Sequence, residues 1–151
     1  MAVFVYNAET PSKKFTVSEP GHRIFTDKLT SKNSPRKAWD EMMLFLQKEN
    51  ILNRKRLHPE PVFVKINSIE ALQCKNEKEF DSMVSKVIKY GGQLYSLAEE
   101  AVFNKDYPHG ISNNPEKLEK AKSEIRAKSA AYENAANSSQ IKKRQGTVIS
   151  I

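Results

Sequence analysis

The chain has one cysteine, five glycines and no long apolar run, and each shortage excludes a class of protein. A single cysteine cannot build an internal disulfide framework or a Cys₄ or Cys₂His₂ zinc site. No window approaches 18 consecutive apolar residues, so we expect no membrane-spanning helix. No Gly-rich phosphate-binding sequence is present, and we expect no cofactor and no metal. A reducing, cytoplasmic compartment fits this cysteine usage.

The composition is that of a globular chain. Of the 151 residues, 38% are hydrophobic and 28% are charged. One domain is the default at this length, and we expect it to span residues 1–137, followed by a tail over residues 138–151. Residues 1–7 have no basic region and only a short apolar run, so we expect no signal peptide.

The net charge of +7 is unevenly distributed along the chain. Residues 1–60 carry +4, residues 61–114 carry −1 and residues 115–151 carry +4. This asymmetry suggests that the two ends, rather than the middle, meet an anionic partner. Solubility alone also explains such a charge, because net charge bears on association and not on fold.

Strand signals are concentrated in the first half of the chain. The β-prone runs are Ala2–Asn7, Lys14–Ser18, His22–Thr26, Val62–Ile66 and Ile69–Cys74. Between them, Ser34 followed by Pro35 is a typical helix start and predicts a helix to about Asn50. These patterns predict an α+β fold in which a small antiparallel sheet in the N-terminal half packs on one helix.

The second half of the chain has helical periodicity. Asn76 and Glu79 have the spacing of a capping box, and apolar residues from Phe80 to Val102 stay in one register across Gly91 and Gly92. This register predicts one long helix that is kinked near the glycines. A polar helix over Pro115–Ala136, with a thin apolar stripe, should lie on the outside.

The densest cationic run is Arg54-Lys55-Arg56. Such a run can neutralise phosphates, and Asn53 is the neighbour that could read a base edge. The alternative is a solvated connector between the first helix and the Val62 strand.

Two further features bear on catalysis. Asp106 and His109 lie three residues apart in one loop, where a turn could bring them together as an acid–base pair. Pro108 and Gly110 alone, however, explain a tight turn between two helices. Cys74 could serve as a nucleophile, but a lone cysteine is more often a small buried hydrophobic residue.

The C-terminal tail combines a basic and an apolar segment. Lys142, Lys143 and Arg144 precede a β-prone end that includes Val148, Ile149 and Ile151. This end could add a strand to the protein's own sheet or to a partner, with the basic residues steering the encounter.

Three classes of function remain, in this order. The first is a non-enzymatic binding module, such as an inhibitor, adaptor or assembly factor, that contacts an acidic protein surface through the basic run and the tail. The second is a nucleic-acid binder using the same cations, although no aromatic residues are interleaved with them for stacking. The third is a small enzyme built on Asp106 and His109. The partner's identity and the oligomeric state stay open.

Overall fold

A six-stranded mixed sheet forms the centre of the structure, a computed structural model that describes residues 2–11, 23–31 and 34–128. The strands are β1 Ala2–Glu9, β2 Arg23–Lys28, β3 Val62–Ile66, β4 Gln93–Ser96, β5 Ala101–Phe103 and β6 Ile111–Ser112, in the order β2-β1-β3-β4-β5-β6. The first four are parallel to one another, and β5 and β6 continue the sheet in antiparallel pairings. The predicted α+β class is confirmed.

Helices connect the parallel strands. Helix α1 spans Lys37–Arg54 and leads from β2 to β3, and helix α2 spans Glu77–Lys89 and leads from β3 to β4. Residues 115–128 form helix α3. Parallel neighbours require such crossovers, because a tight turn can join only antiparallel strands. Among the described residues, no helix has both the length and the apolar character needed to cross a membrane.

The predicted antiparallel sheet of the N-terminal half is wrong in direction and extent. β1 pairs in parallel with both β2 and β3, and the sheet continues through β4, β5 and β6 in the second half. An alternating pattern indicates a strand but not the direction of its partner, which depends on the path that the chain takes between the two strands. The predicted strand at Lys14–Ser18 lies outside the described residues.

The predicted long kinked helix is also wrong, because α2 stops at Lys89. Gly91 has a φ of +81°. Its N–H donates to the carbonyl of Ile88, and the N–H of Gly92 donates to the carbonyl of Val87. This pair of hydrogen bonds is a Schellman motif, the commonest helix stop that uses a left-handed glycine. In β4 and β5 the apolar residues of that register do not share one face, because Leu94 is buried whereas Tyr95 and Val102 lie on the opposite, partly exposed face, so their helical spacing arose by chance.

Helix α1 is not capped by the predicted Ser34. The side chain of Ser34 instead accepts hydrogen bonds from the N–H groups of Thr30 and Ser31, each at 2.9 Å. The carboxylate of Asp27, at the end of β2, accepts from the N–H groups of Ala38 at 2.8 Å and Trp39 at 3.0 Å. Asp27, which β2 places beside the start of α1, therefore caps this helix in place of the predicted Ser34.

Other predicted elements are confirmed. Val62–Ile66 is a strand, and Asn76 caps α2 by accepting the N–H of Glu79 at 2.9 Å. The predicted strand at Ile69–Cys74 is wrong, because Glu70–Leu72 form a turn of 3₁₀ helix. Residues 115–128 confirm the described part of the outer helix, which buries little besides Leu118 and Ile125.

One hydrophobic core joins the sheet to the helices. Inward side chains of β1 and β3 pack against α1 and α2, and Phe80 of α2 meets Phe103 of β5 edge to face at 5.6 Å. The side chains buried most completely in this core are Tyr6, Met42, Leu46, Val64, Ile66, Ile69, Leu72, Val87, Leu94 and Phe103. The core holds α1 and α2 against the sheet, and the candidate sites described below lie on or beside these two helices.

Candidate functional site

Large apolar side chains are exposed along the outer side of α1. Leu44, Ile51 and Leu52 are 59%, 54% and 51% exposed, and Leu57, in the turn after the helix, is 89% exposed. Leu44 and Ile51 are seven residues apart, which places them on one side of a helix. These four residues are four of the seven large hydrophobic residues exposed in the described part of the chain. Exposed apolar side chains on one side of a helix are the feature that interaction surfaces share, which makes these residues a candidate site.

Cations surround this cluster. Lys48 lies between Leu44 and Ile51, and the predicted run follows, with Arg54 closing the helix and Lys55 and Arg56 in the turn. We call the surface formed by Leu44, Lys48, Ile51, Leu52, Arg54, Lys55, Arg56 and Leu57 the α1 surface.

The charges of the α1 surface are largely free. Arg56 approaches Glu49 at 3.9 Å. Within the described ranges, neither Arg54 nor Lys55 has a carboxylate within 4.0 Å. Their charges are thus available to a partner.

Asn53 holds the turn of the α1 surface in place. Its side-chain amide donates to the carbonyl of Glu60 at 2.6 Å, and its side-chain oxygen accepts the N–H of Glu60 at 2.9 Å. This pair of bonds fixes the basic turn against the helix end. The amide predicted to read a base is therefore engaged within the chain.

The aromatic ring of Phe45, which lies beside Lys48, is also engaged. Arg23 lies over the ring of Phe45 at 4.7 Å, and Lys48 lies at 5.5 Å from the same ring. Phe25 packs against Phe45 at 5.8 Å. A base that stacked on Phe45 would have to displace these contacts.

Asp106 and His109 lie in the loop between β5 and β6, not between two helices as predicted. The side-chain oxygen of Asn104 accepts the N–H groups of Asp106 and Tyr107, which forms a tight polar turn. The described structure contains no hydrogen bond between Asp106 and His109, and both side chains are exposed. The described structure therefore does not join Asp106 and His109, and a catalytic role for this loop stays a prediction.

His109 instead lines a cleft of about 310 Å³ between the loop, α2 and α3. Asp81 is on the opposite side, where burial and then the neighbouring Glu77 raise its pKa, while His109 opposes the rise. Arg126 approaches Glu77 at 3.7 Å. The cleft is lined by Glu77, Asp81, His109 and Lys122, but no serine, threonine or cysteine is among its lining residues.

Cys74 behaves as a buried hydrophobic residue. Its thiol is 3.7 Å from the sulfur of Met83, and burial raises the pKa of Cys74 to about 12. The nucleophilic thiolate is therefore scarce at neutral pH. The described residues contain no cluster of three or more His, Cys, Asp or Glu that could hold a metal ion.

A second polar site lies at the carboxyl edge of the parallel strands, where ligands of open α/β sheets usually bind. The hydroxyl of Tyr6 on β1 donates to Asp27 at 2.8 Å, and the guanidinium of Arg36 donates to the Tyr6 oxygen at 3.1 Å. Arg36 also donates to the carbonyls of Leu72 and Gln73 and pairs with Glu79 at 3.1 Å. We call Tyr6, Asp27, Arg36 and Glu79 the carboxyl-edge network.

The electrostatics of the network follow from its burial. Burial raises the pKa of Tyr6, and the neighbouring Arg36 opposes this rise. Burial alone would lower the pKa of Arg36, but the surrounding acidic groups, led by Tyr6, outweigh it and raise the pKa. Arg36 stays charged and joins three segments of the chain.

Two depressions adjoin the network. A cleft of about 220 Å³ is lined by residues that follow each of the first three strands, among them Thr10, Thr30 and Gln73. A groove of about 510 Å³ lies between the start of α1 and the length of α2, from Asn76 to Lys86, and includes Trp39. The Nε2 group of Gln73 and the Nε1 group of Trp39 are buried with no hydrogen-bond partner in the described part of the chain.

No local sequence signal marks the carboxyl-edge network. Its members come from β1, the end of β2 and the starts of α1 and α2, and they meet only in the folded sheet. The tail residues Lys142, Lys143, Arg144, Val148, Ile149 and Ile151, predicted as a binding segment, lie outside the described residues. Comparison of the chain with protein families, with curated proteins and with solved structures finds no match.

Proposed function

We propose that the protein is a non-enzymatic binding module that docks the α1 surface against an acidic face of a protein partner. The observation that carries the proposal is the group of four exposed apolar side chains, Leu44, Ile51, Leu52 and Leu57, flanked by cations. Apolar side chains supply the affinity of such an interface, and complementary charges supply orientation and on-rate. The single free cysteine, Cys74, is consistent with a reducing, cytoplasmic setting.

A nucleic-acid partner is the second candidate, because the charges of Arg54 and Lys55 are free. Exposed leucine and isoleucine contribute nothing to phosphate contacts, and Phe45 offers no open stacking face. A protein surface with carboxylates around an apolar centre complements both the apolar and the cationic side chains of the α1 surface.

The test compares two matched pairs of substitutions in quantitative affinity capture. The variant I51S/L57S removes apolar side chains from the α1 surface, and the control I24S/I111S removes similarly exposed ones elsewhere, at 43% and 46% exposure. Both should melt close to the wild-type protein. We expect I51S/L57S to reduce partner recovery about tenfold, since a central apolar contact is worth about 1.4 kcal/mol or more, and the control to retain it.

A salt titration separates the two candidates. A protein interface should weaken modestly with salt, whereas phosphate contacts give a slope of log affinity on log salt close to one unit per contact. Equal recovery by both variants would contradict the proposal, and a steep, nuclease-sensitive dependence would favour nucleic acid.

A further inference from the structure

The groove between α1 and α2 has the size and charge of a site for a small anion. Its volume of about 510 Å³ falls within the ordinary range of ligand pockets, about 300–1,000 Å³. Four cationic side chains line it against two carboxylates, namely Arg36, Lys75, Lys78 and Lys86 against Asp40 and Glu79. Glu79 is already bound to Arg36 and to the N–H of Lys75, so the groove has an excess of positive charge.

Trp39 contributes a hydrogen-bond donor that the chain does not use. The residue is 2% exposed, and its Nε1–H has no acceptor in the described part of the structure. The indole is held by an edge-to-face contact with Tyr6 at 4.9 Å and by the bond from its backbone N–H to Asp27. A buried donor without an acceptor is rare, because leaving it unpaired is costly.

Free amides at the starts of α1 and α2 are not what makes the groove a candidate anion site, because side chains of the protein already bind amides there. Asp27 accepts the first free amides of α1, and Asn76 accepts an amide of α2. Lys78, Ser82 and Lys86 recur every four residues of α2 and line the groove, so one wall presents two ammonium groups and a hydroxyl.

The geometry points to a binding site for a small anionic molecule in this groove. Lys78 and Lys86 neutralise the charge of the ligand, and a phosphate or carboxylate oxygen accepts the Trp39 Nε1–H once ligand binding uncovers this buried atom. The inference is independent of the proposed function, because the groove contains no residue of the α1 surface.

Trp39 is the only tryptophan of the chain, so its fluorescence reports on the groove alone. The full-length protein is titrated with pyrophosphate and separately with citrate, each against potassium chloride at matched ionic strength. We expect a saturable change in Trp39 emission and a rise in melting temperature with at least one of the two anions. The responding anion identifies phosphate or carboxylate chemistry. A response that potassium chloride reproduces, or no saturable response to either anion, would overturn the inference.

Matched variants locate the site. K78Q/K86Q removes two exposed charges from the groove, and the control K48Q/K55Q removes two from the α1 surface. We expect at least tenfold weaker anion binding for the first and unchanged binding for the second. Equal weakening in both would show a response to net charge alone and would overturn the site.

The substitution W39F removes the donor but keeps an aromatic ring. Calorimetry, at a temperature where W39F is folded, should give at least fivefold weaker binding than the wild-type protein. Wild-type affinity in W39F would overturn the role of the indole.

Discussion

Arg36 and Arg54 lie at the two ends of α1 and have opposite surroundings. Arg36 is 11% exposed and binds a phenol, two carbonyls and a carboxylate of its own chain. Arg54 is exposed and has no acidic partner within 4.0 Å among the described residues. The comparison teaches that the position in the fold, and not the residue type, decides whether a cation is engaged within the chain or left exposed to solvent.

The same contrast extends to the apolar residues of α1. Its inner side buries Trp39, Met42, Met43 and Leu46, and its outer side leaves Leu44, Ile51 and Leu52 exposed. A helix that needed only to cover a sheet would carry polar residues on its outer side. The apolar residues there are unexplained by the fold and therefore support the proposed function.

Among the substitutions that compare the two ends of α1, that of Asp27 should cause the largest loss in the free energy of unfolding. D27A removes the acceptor for the Tyr6 hydroxyl and for two amides of α1, so we expect a loss of about 3 kcal/mol or more in the free energy of unfolding. Urea denaturation measures this loss. The control D40A changes an exposed aspartate in the first turn of α1 and should cost at most about 1 kcal/mol. Similar losses would mean that the network is not the main support of α1.

The second-largest effect on stability should be its dependence on pH, which comes from the ionisation of Tyr6. Tyr6 ionises near pH 10 when unfolded, and its folded pKa is raised by burial. Its contribution to stability is therefore complete below pH 10 and is lost as the pH rises above that value, at up to about 1.4 kcal/mol per pH unit.

Denaturation of the wild-type protein and of Y6F between pH 9 and pH 11 measures this term. Lysine ionisation affects both proteins alike, so the difference between the two slopes isolates Tyr6. Parallel curves would show that Tyr6 is free to ionise in the native state, contrary to its 1% exposure.

The smallest effect on stability is expected at the α1 surface. Replacing Arg54, Lys55 and Arg56 with serine should change the free energy of unfolding by no more than about 0.5 kcal/mol, because exposed charges contribute little. Urea denaturation again provides the measurement. A loss approaching that of D27A would remove the distinction between the two ends of α1.

Local signals in the sequence were sufficient for several elements. The β-branched run Val62–Ile66 is a strand, Asn76 caps a helix, and the helix predicted from Ser34 is present as α1. The basic run was also found from sequence, and the structure places it at the exposed end of α1. Each of these features depends on neighbours within a few residues.

One error concerned a local helix stop, and another concerned side chains that meet only through distant partners. Gly91 continued the apolar register, yet its left-handed conformation ends α2. Asp106 lies near His109 in sequence, yet Asp81 faces the same cleft as His109 from α2. A period of apolar residues cannot distinguish a helix from two short strands when each strand contributes only one or two inward side chains.

The sequence by itself determined the α+β class, the Val62–Ile66 strand, the starts of α1 and α2 and the position of the basic run, whereas the exposure of the apolar residues of α1 was visible only in the structure. Periodicity, capping and charge are local properties, and the chain carries them before it folds. Only the tertiary structure decided the parallel pairing of β1 with its neighbours, the capping of α1 by Asp27 and the assembly of Tyr6, Arg36 and Glu79 at one edge. These contacts join residues 11 to 60 positions apart, and burial in a shared core is what brings such residues together.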